Sequence, residues 1–249
     1  MSTRQPQENS APGDPAPGDP AQDDPAPSDP AQSDPATFCE APAAYIVETY
    51  FVLRMVIAAG ALLLPAALLL WVALDPGVTM MGSLSAFYYS PARSLFVGIL
   101  VAIGVALVAY RGYTRGENAL LNGAGILTIV VALVPTGDSS PPGLTVAGAV
   151  HAVAAVGFFV LAALSIFFYG QETLGSLPDP TLRRRYRVVY RVLALLVVTL
   201  PALAVLVAWV AGPSVALFAG EAAALYAFAA FWLVKTYELS RSQTRRRIV

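Results

Sequence analysis

Only 12% of this 249-residue chain is charged, and it holds one cysteine, one histidine and one lysine. Each shortage excludes something. A lone Cys39 forbids an intramolecular disulfide and any zinc or iron–sulfur centre built from the cysteines of one chain. A lone His151 cannot supply multi-histidine metal ligation or bis-histidine haem, so no metal and no cofactor is expected. Residues 1–37 lack an apolar run, so no cleavable signal peptide is expected there. Cys39 follows no hydrophobic segment and is no lipobox cysteine, which leaves the first span to direct insertion.

What is plentiful is apolar: 57% of the chain, concentrated after residue 50. Crossing a hydrocarbon core of about 30 Å takes roughly 20 residues at 1.5 Å each. Six windows qualify or nearly so: 51–74, 94–110, 118–135, 146–169, 188–211 and 214–234. A soluble core helix of that length would carry a polar face, and these carry none. The expected fold class is all-α: a polytopic membrane helix bundle of six transmembrane helices over 45–237. A disordered arm over 1–44 precedes it and a basic tail over 238–249 follows. The arm contains five pentapeptides, APGDP, APGDP, AQDDP, APSDP and AQSDP, at 11–35. Proline at every fifth position excludes helix and sheet, and no repeating hydrophobe is present to build a solenoid core. A spacing arm or a docking arm for a basic partner would both use such a segment.

Fourteen of the fifteen basic residues are arginine, and their placement sets an orientation. Arg111 and Arg115, then Arg183, Arg184, Arg185 and Arg187, lie on one set of connections. Lys235, Arg241, Arg245, Arg246 and Arg247 follow on the C-terminal side. The alternate connections carry Arg93 alone. By the positive-inside rule both termini are cytoplasmic, in a multi-pass protein of the cell membrane. Trp71 and Trp209 then fall at outer interfaces, and Tyr110, Tyr169 and Trp232 at inner ones. The outer loop 75–93 is amphipathic and aromatic, too short to span, and suits an interfacial or re-entrant segment covered by protein. Pro65 and Pro201 mark kinks within spans.

Ionisable groups at mid-membrane cost roughly 2.5–3.5 kcal/mol on insertion scales, so each needs a partner or a purpose. His151 lies about 8 Å into the fourth span and Glu221 about 10 Å into the sixth, both counted from outside at 1.5 Å per residue. Ala147, Gly148, Ala154 and Ala155 surround His151 at helical spacing, and small residues permit close helix approach. Arg93 could reach Glu221 or Asp138, while Ser83, Ser85, Tyr88 and Tyr89 offer hydroxyls to the same outer vestibule. Three readings stand open: a structural polar network, a ligand- or proton-handling pocket, or residues that are merely interfacial. At the inner face Arg54, Arg111, Arg115, Glu117, Asn118 and Asn122 form a second cluster. Glu117 and Asn118 suit helix capping, Asn122 suits a bond to a neighbouring helix, and the arginines suit anionic lipid head groups. Nucleic-acid binding is not expected of charges that lie against a membrane.

The block SLSAFYYSPARSLFVGILVAIGVALVAYRGYTRGENALLNGAGILTIVVALVPT at 83–136 resembles an uncharacterised group of prokaryotic six-span membrane proteins, a domain of unknown function. The resemblance continues through His151, Phe158 and Phe159 into Glu221 and the FWLVK at 231–235, and spares the pentapeptide arm. It implies a single-domain bundle and carries no activity with it. The multi-histidine ligands of ceramidase-like membrane hydrolases are absent. The expected function is a small-ligand or proton-linked transporter, channel or sensor with an outward-facing polar pocket, and an oligomer is compatible with it. The alternatives are a lipid-acting intramembrane enzyme, with His151 as acid/base and Glu221 or Asp138 orienting it, and a structural or assembly subunit.

Overall fold

A computed structural model describes residues 35–137, 145–212 and 215–246, with the side chains of 48–137, 145–212 and 215–241. Contacts divide the chain into Met1–Pro42 and Ala43–Val249. Of the first unit only the start of a helix is described; the bundle belongs to the second. The arm up to residue 34, Asp138 and the last three residues lie outside the described residues.

Among the described residues, six long helices occur in chain order: α1 Pro35–Leu74, α2 Arg93–Ala109, α3 Arg115–Leu133, α4 Val146–Leu164, α5 Pro180–Ala211 and α6 Ala216–Arg246. Five of them contain segments long and apolar enough to cross a membrane, and α2 is a shorter apolar helix of 17 residues. The protein is an all-α, multi-pass membrane bundle. Helix starts follow local chemistry. Thr114 caps α3 by accepting from Glu117 N at 3.2 Å, and Thr145 caps α4 by accepting from Gly148 N at 3.0 Å. Asp179 caps α5 at Thr181 N with Pro180 in the first turn, where a missing N–H costs nothing.

Cross-links show that successive helices alternate in direction. At the far end of the bundle, Gly82 O accepts from Phe218 N at 2.9 Å and Tyr89 Oη accepts from Gly137 N at 3.0 Å. The near end gathers the start of the first span, the 110–114 and 165–179 connections and the later part of α6. There Arg54 donates to Thr236, and Lys235 to Gly170 O. An aromatic chain runs inward from this end: Tyr50 to Tyr110 at 5.3 Å, Tyr110 to Trp232 at 5.0 Å, Trp232 to Phe231 at 5.4 Å and Phe231 to Tyr190 at 5.3 Å. Tyr110 and Trp232 are therefore core residues, each 2% exposed, and not the interfacial belt expected of them. Their rings fill the space between α1, α2 and α6. Trp209, by contrast, is 82% exposed at the far end of α5.

Where helices touch most closely, glycine permits it. A Cβ on Gly125 would lie 2.6 Å from Gly104 O, and one on Gly104 would lie 2.8 Å from Gly125 O. Helices α2 and α3 thus meet backbone to backbone, the small-residue packing that holds helices together where lipid removes any hydrophobic drive.

Two boundaries differ from expectation. Helix α1 begins at Pro35, so 35–44 is helical where an extended arm was expected. The pentapeptide pattern stops there and alanine takes over, with proline at the first helical position. Helix α6 runs on to Arg246, through the expected start of the basic tail at 238. Glu238, on the tail side of that boundary, is fully buried.

Candidate functional site: a far-end cavity and a near-end polar core

The far-end connection 75–92 folds back onto the bundle. Its 3₁₀ turn Ser85–Tyr89 is held by Ser83 Oγ, which accepts from Ala86 N at 3.1 Å. Val78, Leu84, Phe87 and Ala92 are buried, and Phe87 stacks at 6.0 Å on Phe218 of α6. This fold-back brings Leu84 N to Glu221, whose Oε2 accepts at 2.8 Å. One carboxylate oxygen of Glu221 thus straps the connection down.

His151 is 5% exposed and lies against the end of α3. Its Nδ1 is 2.7 Å from Val134 O, the carbonyl of the residue that ends that helix. A carbonyl only accepts, so Nδ1 carries the proton and Nε2 is left as an acceptor. Nε2 is buried and has no hydrogen-bond partner among the described residues. Gly148 makes the approach possible: a Cβ there would fall 2.3 Å from Thr136 O.

His151 and Glu221 line the same cavity, of about 400 Å³. Its polar lining is completed by Ser83, Ser85 and Thr136, and its remaining walls are apolar side chains of α4, α5 and α6. Small-molecule sites typically occupy roughly 300–1,000 Å³ with few polar groups in apolar walls. Two side chains separated by 70 positions thereby share one space.

Of the other expected outer residues, Ser83 and Ser85 join them, and Arg93, Tyr88 and Tyr89 do not. Arg93 starts α2 on the side of α3 and lines a different cavity with Tyr88, Ala132 and Leu133. Its guanidinium donates to Tyr88 Oη and lies 4.1 Å from the Tyr88 ring centre. Tyr89 bonds Gly137, and Asp138 lies outside the described residues. The expected union of Arg93, Tyr88 and Tyr89 with His151 and Glu221 is corrected accordingly: depth matched, but rotation about α2 aims Arg93 elsewhere. Glu221 does not orient His151 either, since a backbone carbonyl does.

The near end holds a denser polar group that sequence reasoning missed. Lys235 and Glu238 form an ion pair at 3.1 Å, 3% and 0% exposed at their side chains. Lys235 also donates to Gly170 O at 2.8 Å and to Thr173. Glu238 accepts from Thr173 Oγ1 and from Tyr190 Oη, each at 2.6 Å. A π-helical turn over Ser165–Tyr169 at the end of α4 turns the chain so that the Gly170 carbonyl meets Lys235. Arg54 Nε donates to Thr236 Oγ1 at 3.2 Å, joining α1 to α6. The signal was present: a lone lysine and a glutamate three residues on share one helix face.

Of the expected inner cluster, Glu117 closes the start of α3, its Oε2 accepting from Tyr113 N at 2.7 Å. Thr114 accepts from Glu117 N in turn, so both side chains satisfy amide groups at this helix start. Arg111 and Arg115 are exposed. Arg54 is buried and bonded to α6. Asn118 Oδ1 and Asn122 Oδ1 have no hydrogen-bond partner among the described residues, so neither makes the capping or interhelical bond expected of it as an acceptor.

No family model matches the chain, and no curated protein or solved structure shows significant similarity to it.

Proposed function

We propose that this multi-pass membrane protein binds a small ligand in the far-end cavity, as a sensor or transporter whose pocket lies in the outer leaflet. The carrying observation is that His151 and Glu221, the histidine and the carboxylate expected at similar depth, line one cavity of about 400 Å³. The arginine asymmetry supports taking the far end as the outer one. The near-end aromatic and ionic packing closes the opposite side of the bundle, which favours a ligand arriving from the far side. A lipid-acting enzyme is the second reading. The unpartnered Nε2 of His151 favours it, because that nitrogen is free to take a proton.

A cysteine placed at Ala155, a half-buried wall residue, tests the reading in a Cys39→Ser background. Ala155→Cys is expected to react with a small methanethiosulfonate reagent in intact membranes. Ala124→Cys, at a fully buried position, is the control and is expected to stay unmodified. If both cysteines resist modification, the space is sealed, and His151 and Glu221 are structural ties only.

A further inference from the structure

The cavity is polar at one end and apolar along the rest, and the order of its walls follows membrane depth. Ser83, Ser85 and Thr136 belong to the far-end connections. His151 and Glu221 lie within about 8 Å of the starts of their helices at 1.5 Å per residue. Val160 and Val198, the innermost wall residues, lie roughly 20 Å from the far ends of α4 and α5 by the same rise. Between them the walls are Ala152, Ala155, Val156 and Phe159 of α4, facing Pro201, Ala202 and Val205 of α5. Head-group chemistry at one level and hydrocarbon below it is the profile of an amphiphile in a leaflet.

The cavity also opens sideways. Val156 is 64% exposed and Val205 56% exposed, and both line it. These residues sit within membrane-crossing segments, so the opening between them faces hydrocarbon. Of the consecutive pairs from α2 to α6, α4 and α5 make the fewest close approaches. Pro201, which lies within α5 and leaves one backbone bond unmade there, lines the cavity on this side.

The polar end sets two strong acceptors, on His151 and Glu221, beside three hydroxyls that can donate as well as accept. His151 Nε2 is an acceptor because Nδ1 carries the proton, and Glu221 has Oε1 beyond the oxygen that holds Leu84 N. Ser83 Oγ is turned as an acceptor toward Ala86 N. Among the described residues, no arginine or lysine lines the cavity. An anionic head would meet Glu221 with nothing to neutralise it, whereas an ammonium would supply N–H donors to both Nε2 and Oε1. Such charge-assisted bonds gain strength away from water.

We infer that the cavity takes an amphiphile with a primary ammonium head, entering laterally between α4 and α5, its head on His151 and Glu221 and its tail along the α4–α5 walls. This rests on the cavity being a ligand site. Two sources share the chemistry, an aminophospholipid of the bilayer and a free long-chain amine.

The experiment uses the full chain in phosphatidylcholine nanodiscs, with dodecylamine, dodecanol, dodecanoate and dodecyltrimethylammonium as probes. Binding is read by native mass spectrometry and by thermal shift. Dodecylamine is expected to bind most tightly and dodecanoate least. Trimethylammonium keeps the charge and lacks the donors, and is expected between them. Glu221→Gln preserves an oxygen for Leu84 N and should therefore fold. It is expected to weaken dodecylamine by about tenfold or more, as loss of a charge-assisted hydrogen bond requires. Val156→Trp, at an exposed lip position, is expected to block all four probes. Nanodiscs containing phosphatidylethanolamine separate the sources: retention of that lipid by wild type and not by Glu221→Gln identifies the bilayer, and its loss with amine binding intact identifies a free amine. Equal binding of dodecanol or dodecanoate overturns the inference, as does amine binding untouched by both substitutions. Should Ala155→Cys be reactive and the amine show no preference, the ligand class is wrong and the ligand site stands.

Discussion

Glu238→Ala is expected to remove about 3–5 kcal/mol of stability, the usual consequence of leaving one member of a buried ion pair alone. Lys235 would stay 2% exposed with its charge uncompensated, and Tyr190 and Thr173 would each lose the acceptor they donate to. The effect should spread, because Tyr190 lies on α5, Thr173 on the α4–α5 connection and Glu238 on α6. Thermal denaturation in a mild neutral detergent measures it. The double substitution Lys235→Met with Glu238→Leu is expected to recover only the part of the loss due to the unpaired charge, because Tyr190 and Thr173 still lack their acceptor. A Glu238→Ala effect below about 0.5 kcal/mol, the range of ordinary surface changes, would show that this carboxylate is solvated and α6 ends earlier than Arg246.

Gly125→Leu is expected to be similarly severe. Its Cβ would fall 2.6 Å from Gly104 O and 3.1 Å from Leu107 Cβ, and a backbone carbonyl cannot rotate aside as a side chain can. Overpacking costs typically 1–3 kcal/mol and more where backbone must move, so a sharp fall in folded yield should follow. Gly98→Leu on the neighbouring α2 is the control, because a Cβ at Gly98 meets nothing within 4 Å. It should leave yield and melting temperature nearly unchanged. Equal tolerance of both substitutions would mean that α2 and α3 do not touch through their glycines.

Much of this architecture was legible because membrane insertion reads simple quantities. The apolar window 51–74 ends with α1 at Leu74, and 94–110 and Arg93–Ala109 differ by one residue at each end. Position along a helix was legible by counting residues, and His151 and Glu221 line one cavity. Rotation about a helix axis was not. Arg93 sits at a compatible depth, yet its helix turns it toward Ala132 and Leu133. Span windows also stop where charge begins, although helices do not. Lys235 and Glu238 look like tail residues by composition, and only a helix continuing to Arg246 brings them back into the core. Trp232 was misplaced by the same habit, since an aromatic near a span end reads as a belt residue until its neighbours are known.

The chain's one histidine makes the shared far-end site directly measurable. With ¹⁵N-labelled histidine, His151 gives the only imidazole signals and needs no assignment. The account predicts a neutral ring protonated at Nδ1, with an Nε2 resonance that moves on Glu221→Gln and holds still on Arg93→Ala. A ring protonated at Nε2, or an Nε2 resonance that follows Arg93→Ala and ignores Glu221→Gln, would contradict it.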